Sequence, residues 1–342
     1  MNFNAAVLIS KKKIVIDTLK IPKLREGQVL VKMIYSSICQ TQIGEINGTR
    51  GKDPYLPHCL GHEAVGKIME KHASVKKVKV EDNVCLSWIK GSGIDAGGTK
   101  YENLKGKIIN AGPVNTFSEY AVISENRIYK LLKKDDLKSS VLLGCAIPTG
   151  FNSIFYSLKK IKKGPICILG CGGVGLAVVM ASKLKNIRPI IGIDISEKKM
   201  KIAKSFGADK TFNFNDKNFE KVLTRFCQSN FPAFIECTGK INVLEFCIKK
   251  TNTLGGQVVV VGNYPKNSSI DLDPWHIISG KTLMGAWNDN KSFDHKFDTF
   301  KKKLDKDCHN NFFGKSTYSL EEIDIAVDDF VKGKVVRPLI EF

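Results

Sequence analysis

Gly170, Gly172 and Gly175 stand at the spacing G-x-G-x-x-G within Gly170-Cys171-Gly172-Gly173-Val174-Gly175. Glycines so spaced let a backbone turn tightly and approach a pyrophosphate, whose charge then meets the positive end of the following helix. The spacing alone is weak evidence. Here the apolar run Ile166-Cys167-Ile168-Leu169 precedes it, a stretch rich in Ala, Val, Leu and Met follows it, and Asp194 closes the next apolar run, Ile190-Ile191-Gly192-Ile193. Strand, glycine turn, helix and an acid about 20 residues on combine into a dinucleotide-binding signal. A carboxylate at position 194 accepts hydrogen bonds from ribose hydroxyls and repels a 2′-phosphate, so the expected cofactor is NAD rather than NADP.

The elements that must position these groups follow from the rhythm of the chain. The first 130 or so residues alternate short apolar runs with turn signals, as in Ile14-Val15-Ile16, Val29-Leu30-Val31-Lys32-Met33, Ala64-Val65-Gly66-Lys67-Ile68 and Asn83-Val84-Cys85-Leu86. That pattern predicts an antiparallel β region. From about residue 147 the pattern becomes apolar strand, glycine turn, amphipathic helix: strands at 166–169, 189–193, 233–236 and 257–261, helices at 175–186, 197–206 and 241–250. Such alternation predicts a doubly wound parallel sheet with right-handed crossovers. The tail, 291–342, is too short to fold alone and ends in the strand-like Val335-Val336-Arg337-Pro338-Leu339-Ile340, so it is expected to return to the first domain. The expected division is 1–146, 147–290 and 291–342.

With 342 residues, 43% of them hydrophobic, the chain is long enough for two cores. It has no run of roughly 18 apolar residues and begins in strand-like sequence, which predicts a cytoplasmic protein with no membrane partner. The ten cysteines are scattered, which argues against a disulfide scaffold, and Cys167, Cys237 and Cys247 are expected to be small buried hydrophobes. The formal charge of +19 admits an anionic substrate. The lysines are dispersed, with short runs at Lys11-Lys12-Lys13, Lys159-Lys160 and Lys301-Lys302-Lys303, so they read as solvated faces and no nucleic acid is expected.

Three further segments carry a resemblance: Ser37-Ile38-Cys39-Gln40-Thr41, Gly61-His62-Glu63-Ala64-Val65-Gly66 and Gly144-Cys145-Ala146-Ile147-Pro148-Thr149-Gly150. At these residues the chain resembles the zinc-dependent medium-chain alcohol dehydrogenases, from Ala5-Ala6-Val7 to Gly333-Lys334-Val335-Val336-Arg337. The resemblance implies an α/β protein, with a GroES-like, mainly antiparallel β catalytic domain and a doubly wound Rossmann domain. It implies one catalytic zinc held by Cys39, His62 and Cys145, and hydride transfer between an alcohol, polyol or sugar-derived alcohol and NAD, giving an aldehyde or ketone. Two thiolates and an imidazole leave the fourth position of a tetrahedral zinc open, as a catalytic site requires.

Several implied roles follow by position. Thr41 starts a proton relay, and Glu63 is an alternate ligand or a charge behind the ligands. Thr149, Val174, Val261 and Gly262 pack around the nicotinamide, Lys199 contacts the adenosine ribose, and Arg337 pairs with the pyrophosphate. A homodimer or homotetramer is expected.

The chain also departs from the family. Gln42-Ile43-Gly44 lacks the histidine that commonly ends the relay, and Gln42 replaces an aspartate that orients the zinc-binding histidine, although an amide oxygen still accepts a ring N–H. Ser87-Trp88-Ile89-Lys90-Gly91-Ser92-Gly93-Ile94-Asp95-Ala96-Gly97-Gly98 lacks the four cysteines of a structural zinc lobe, and is expected at the substrate entrance or a subunit contact. Thr41, Trp88, Phe117, Trp287 and Asn288 are the expected pocket lining. The rival readings are a zinc-free quinone or enoyl reductase and a non-catalytic basic binding protein.

Overall fold

The structure, a computed structural model, describes residues 1–158, 164–287, 293–304, 308–314 and 317–342; Lys159, Lys160 and Asn288 lie outside the described residues. The chain divides into two compact units, residues 1–145 with 289–342, and residues 146–288.

In the first unit, β1 (Asn2–Ser10), β2 (Lys13–Lys20), β7 (Thr99–Asn103), β8 (Ile108–Gly112) and β4 (His58–Cys59) close a barrel. A second sheet runs β10 (Ile128–Lys130), β6 (Asn83–Ser87), β5 (Glu63–Lys71), β3 (Gln28–Ser37), β17 (Leu339–Glu341), with β9 (Tyr120–Ser124) also on β3. Side chains of a strand point alternately to opposite faces. Both faces of β1 are buried, so Phe3, Ala5 and Val7 enter one core while Ala6 and Leu8 enter another. Alternate residues of β3, Val29, Val31 and Met33, pack with Ala64, Ile68, Val84 and Leu86 in a third.

The tail closes this unit. Leu339 and Ile340 pair antiparallel with Ser37 and Ser36 of β3. The strand is shorter than the apolar run suggests because Pro338 has no N–H for a ladder; its carbonyl instead accepts from the Ile38 N–H at 3.2 Å.

The second unit is one parallel sheet in the order β13 (Lys210–Asn213), β12 (Ile190–Asp194), β11 (Ile166–Leu169), β14 (Ala233–Glu236), β15 (Gln257–Val260), β16 (Thr282–Gly285). From β11 the chain winds first toward β13 and then back toward β16, so the order reverses beside β11. In open sheets of this kind ligands bind at the carboxyl ends of the strands near that reversal. Cys167 and Cys247 are buried in the core of this unit as expected, but Cys237 is only half-buried. Among the described residues no helix is long and apolar enough to cross a membrane.

The glycine-rich segment after β6 folds back onto its own unit. Glu125 accepts backbone N–H bonds from Ile94 at 2.9 Å through one oxygen, and from Lys76 at 2.8 Å and Lys77 at 2.9 Å through the other. Asp294 accepts from the Ser92 N–H at 2.6 Å and pairs with Lys77, while Ser124 Oγ accepts from the Ala96 N–H at 2.9 Å. A Cβ on Gly93, whose φ is +106°, would crowd the Glu125 side chain, so this turn tolerates only glycine. Glu125 therefore ties down a segment that carries no metal ligands. Glu125→Gln would turn an NH2 donor toward one of these N–H groups; the expected loss is about 1–3 kcal/mol of stability, read by urea denaturation with faster proteolysis within 90–98.

Candidate active site

Three segments far apart in sequence bring Cys39, His62 and Cys145 together, with their ligand atoms all within 4.8 Å of one another. Cys39 is the N-cap of α1 (Gln40–Ile46), in extended conformation where the chain leaves β3. His62 lies between β4 and β5. It is aimed by Gly61, whose φ is +93° and whose missing Cβ makes room for Thr116 and the Phe117 backbone. Cys145 follows a short 3-10 turn, Leu142–Gly144. A Cβ on Gly144 would lie 2.5 Å from the Leu86 carbonyl and 2.7 Å from Glu63 Cβ, so glycine lets this turn press against β5 and β6. The Ser87 hydroxyl donates to the Gly144 carbonyl at 2.7 Å and pins it there.

This donor set fits a zinc ion. A tetrahedral zinc with bonds of about 2.0–2.3 Å holds its ligand atoms roughly 3.5–3.8 Å apart, which three side chains whose ligand atoms lie within 4.8 Å reach by small rotations. His62 Nε2 is buried with no hydrogen-bond partner, the state expected of a nitrogen kept for a metal. The Cys145 thiol donates to Cys39, which holds the Cys39 pKa well below its ordinary value against the effect of burial, with Arg337 adding to the shift. The same hydrogen bond and burial push Cys145 up. Burial disfavours a charged His62, but the neighbouring Cys39, with the charges of Glu63 and Glu45, outweighs it and raises its pKa.

Glu63 and Arg337 form an ion pair behind the ligands, with side chains 0% and 3% exposed. One Glu63 oxygen is thus engaged by a guanidinium, and Arg337 also donates to the Ile38 carbonyl at 3.5 Å. The resemblance gave Arg337 to the pyrophosphate; in this structure its guanidinium is buried in the first unit and paired with Glu63. Burial opposes the charge on Arg337, but Glu63 and the two cysteines more than offset this and hold its pKa above normal.

Gln42 does not accept the ring N–H as expected. Its Oε1 accepts from the Cys39 N–H at 3.0 Å, and its Nε2 lies 2.5 Å from His62 Nδ1. A backbone N–H can only donate, so the amide oxygen belongs to Cys39 and the NH2 group faces the ring. A neutral His62 then carries its proton on Nε2, the nitrogen that must face a metal. A metal held at Nε2 would need the ring proton on Nδ1, where the Gln42 NH2 group now faces it.

Thr41 Oγ1 lies 3.8 Å from Cys39 Sγ, on the first turn of α1. Phe117 was expected to line a pocket, but it is fully buried in a core with Ala6, Ile43 and Leu60. Trp88 is half-buried, its carbonyl held by Arg127, and Trp287 in the second unit is largely exposed.

The remaining predicted residues lie in the second unit. Gly170, with φ +91°, ends β11, and a Cβ on Gly175 would strike the Gly170 carbonyl. Gly172 caps α4 (Gly173–Leu184), which begins with Gly173 and Val174, and a Cβ there would meet nothing within 4 Å. That space is open to a ligand. At the end of β12, Asp194 accepts from the Cys171 N–H at 2.8 Å and the Ser196 N–H at 2.9 Å, so its carboxylate is held beside the glycine turn. Lys199 is half-buried on the first turn of the helix Glu197–Phe206, within electrostatic reach of Cys171. Val261 and Gly262 follow β15, both donating N–H bonds to the Glu236 carbonyl at 2.9 Å. Thr149 lies on the helix Ala146–Asn152. Sequence reasoning missed Glu236, buried at the end of β14, whose carboxylate accepts from Thr238, Gly239 and Tyr264. Its signal was an acid ending an apolar strand, the same signal that marked Asp194.

Residues 25–133 match the family model described as "Alcohol dehydrogenase GroES-like domain", and residues 173–305 match "Zinc-binding dehydrogenase". The chain belongs to the medium-chain, zinc-binding alcohol dehydrogenase family. It is 27% identical, over the full length of both chains, to S-(hydroxymethyl)glutathione dehydrogenase of Escherichia coli. Its fold matches an alcohol dehydrogenase zinc-binding domain protein from Burkholderia ambifaria (TM-score 0.88, 22% identity, 100% of this chain and 99% of that one). It also matches benzyl alcohol dehydrogenase from Acinetobacter calcoaceticus (TM-score 0.85, 23% identity, 100% and 99%). The chain is thus an alcohol oxidoreductase of this family.

Two outcomes follow for metal binding. Asp has no N–H to turn toward His62, so Gln42→Asp is expected to raise zinc affinity about 10–100-fold, as read by chelator competition. Zinc must displace protons from Cys145 and from His62, both with raised pKa values, so affinity falls as pH falls through the His62 pKa. An affinity flat between pH 5 and 8 would contradict this.

Proposed function

We propose that this chain is a zinc- and NAD-dependent alcohol dehydrogenase acting on a small alcohol or its carbonyl product. The observation that carries the reading is the convergence of two thiols and a buried, unpaired imidazole nitrogen from three distant segments. A zinc-free quinone or enoyl reductase has no use for that set, and a basic binding protein has no reason to assemble it.

A zinc ion held by Cys39, His62 and Cys145 supplies Lewis acidity, lowering the pKa of a bound alcohol. The protein's own groups do the rest. Thr41 accepts the hydroxyl proton. Glu63 and Arg337 hold the ligand-bearing segments without adding net charge. The glycine turn and the first turn of α4 bind the pyrophosphate, and Asp194 takes the adenosine ribose.

We further propose a cytoplasmic homo-oligomer. Nine cysteines among the described residues are free, as a reducing compartment allows. In the second unit, Leu254, Trp275 and Ile278 are 91%, 64% and 71% exposed near the edge strand β16, an apolar surface suited to a second copy.

Two measurements test the reading. Cys145→Ala should abolish zinc binding, read by mass spectrometry, and turnover with it, while NADH binding followed by fluorescence stays within about threefold; retained zinc with full activity would refute it. Asp194→Asn removes the charge but keeps the shape, and should raise the NADP to NAD ratio of kcat/KM at least about tenfold, or 1.4 kcal/mol. A wild type that already prefers NADP would remove Asp194 from this role.

A further inference from the structure

The histidine that ends the proton relay in many relatives is replaced here by Gly44, which packs against the Thr49 side chain. A proton leaving Thr41 needs another acceptor. Thr41 and Glu45 are four residues apart on α1, so their side chains lie one above the other on the same helix face. Both are half-buried, as expected of groups between an enclosed site and water. Among the described residues no hydrogen bond or salt bridge takes up the Glu45 carboxylate, although His62, His58, Arg50 and Cys39 all lie within electrostatic reach. His58 itself is committed elsewhere, to Asp53 and to the Cys59 carbonyl, each at 2.9 Å.

We propose that Glu45 receives the substrate proton through Thr41, taking the place of the missing histidine. This rests on the dehydrogenase reading above. The alcohol O–H gives its proton to Thr41 Oγ1, and the Thr41 hydroxyl proton passes in the same movement to a Glu45 carboxylate oxygen. The alcohol is left as an alkoxide, and Glu45 releases the proton to water. No electrons move in these steps; hydride transfer follows separately. Glu45 acts through Thr41 and is in that sense a positioning residue. Burial raises its pKa, against the pull of His62, His58 and Arg50. A carboxyl so raised is a better proton acceptor than an ordinary surface glutamate.

The test uses the zinc-loaded enzyme with NAD. Glu45→Gln keeps the shape and removes the base, and is expected to slow alcohol oxidation about 10²-fold, at the low end for a positioned proton-transfer group. Its pH profile should lose the rise that belongs to Glu45, and added imidazole should restore turnover in the variant but not accelerate wild type. A reading free of turnover is the proton released when trifluoroethanol, an alcohol that is not oxidised, binds the NAD complex; followed with a pH indicator, release should slow in E45Q. Zinc content by mass spectrometry should match wild type. An E45Q enzyme within about threefold of wild type, with unchanged release, overturns the relay and leaves the dehydrogenase reading standing. If E45Q loses zinc, Glu45→Asp decides: activity within about tenfold of wild type supports the relay, and a loss as large as that of Gln refutes it. A wild-type protein without NAD-linked alcohol turnover would overturn the functional reading itself.

Discussion

The candidate metal site depends on the buried ion pair between Glu63 and Arg337. Glu63 follows His62 in the chain, and Arg337 reaches the Ile38 carbonyl, one residue before Cys39. The pair thus joins two ligand-bearing segments to the C-terminal tail, which β17 stitches to β3. Breaking a buried pair by removing one partner strands a charge in a low-dielectric interior and costs about 3–5 kcal/mol. The pair also balances charge. Two thiolates would neutralise a zinc ion there and Arg337 neutralises Glu63, so an occupied site would close without net charge.

Charge organises the rest of the first unit in a similar way. Glu125 and Asp294 hold the glycine-rich segment by accepting backbone N–H bonds. A carboxylate with several N–H donors can satisfy groups that would otherwise be stranded when a loop packs down. Its place in the fold is therefore set by two side chains rather than by a second metal, and it turns inward against its own unit rather than serving as a free edge.

Near the ligands, α1 carries an amide at Gln42 and a carboxyl at Glu45, where the resemblance implies a carboxylate and an imidazole. Gln42 gives its oxygen to the Cys39 N–H and turns a donor toward His62, which stabilises the ring tautomer that a metal must displace. Gly44 removes an imidazole, and Glu45, on the adjacent position of the same short helix, places a carboxyl one turn from Thr41. The side chains proposed to tune metal loading and proton release thus lie together on α1.

Local pattern alone determined much of the second unit. The strands 166–169 and 233–236 and the helices 197–206 and 241–250 were readable because apolar period and glycine turns act over a few residues, and the structure has them at those bounds. The strand Lys210–Asn213, with three polar residues of four and an edge position, was not readable; it exists because β12 offers it a ladder. The family resemblance, rather than residue type, named Cys39, His62 and Cys145, and spacings of 23 and 83 residues say nothing of proximity. Only the tertiary structure decided that β3, the Gly61 turn and the Gly144 turn meet, because that meeting depends on sheet register and on close backbone approach at two glycines. The partners of Arg337 and of the Gln42 amide were decided there too, since a hydrogen bond is chosen by whichever group burial brings within reach.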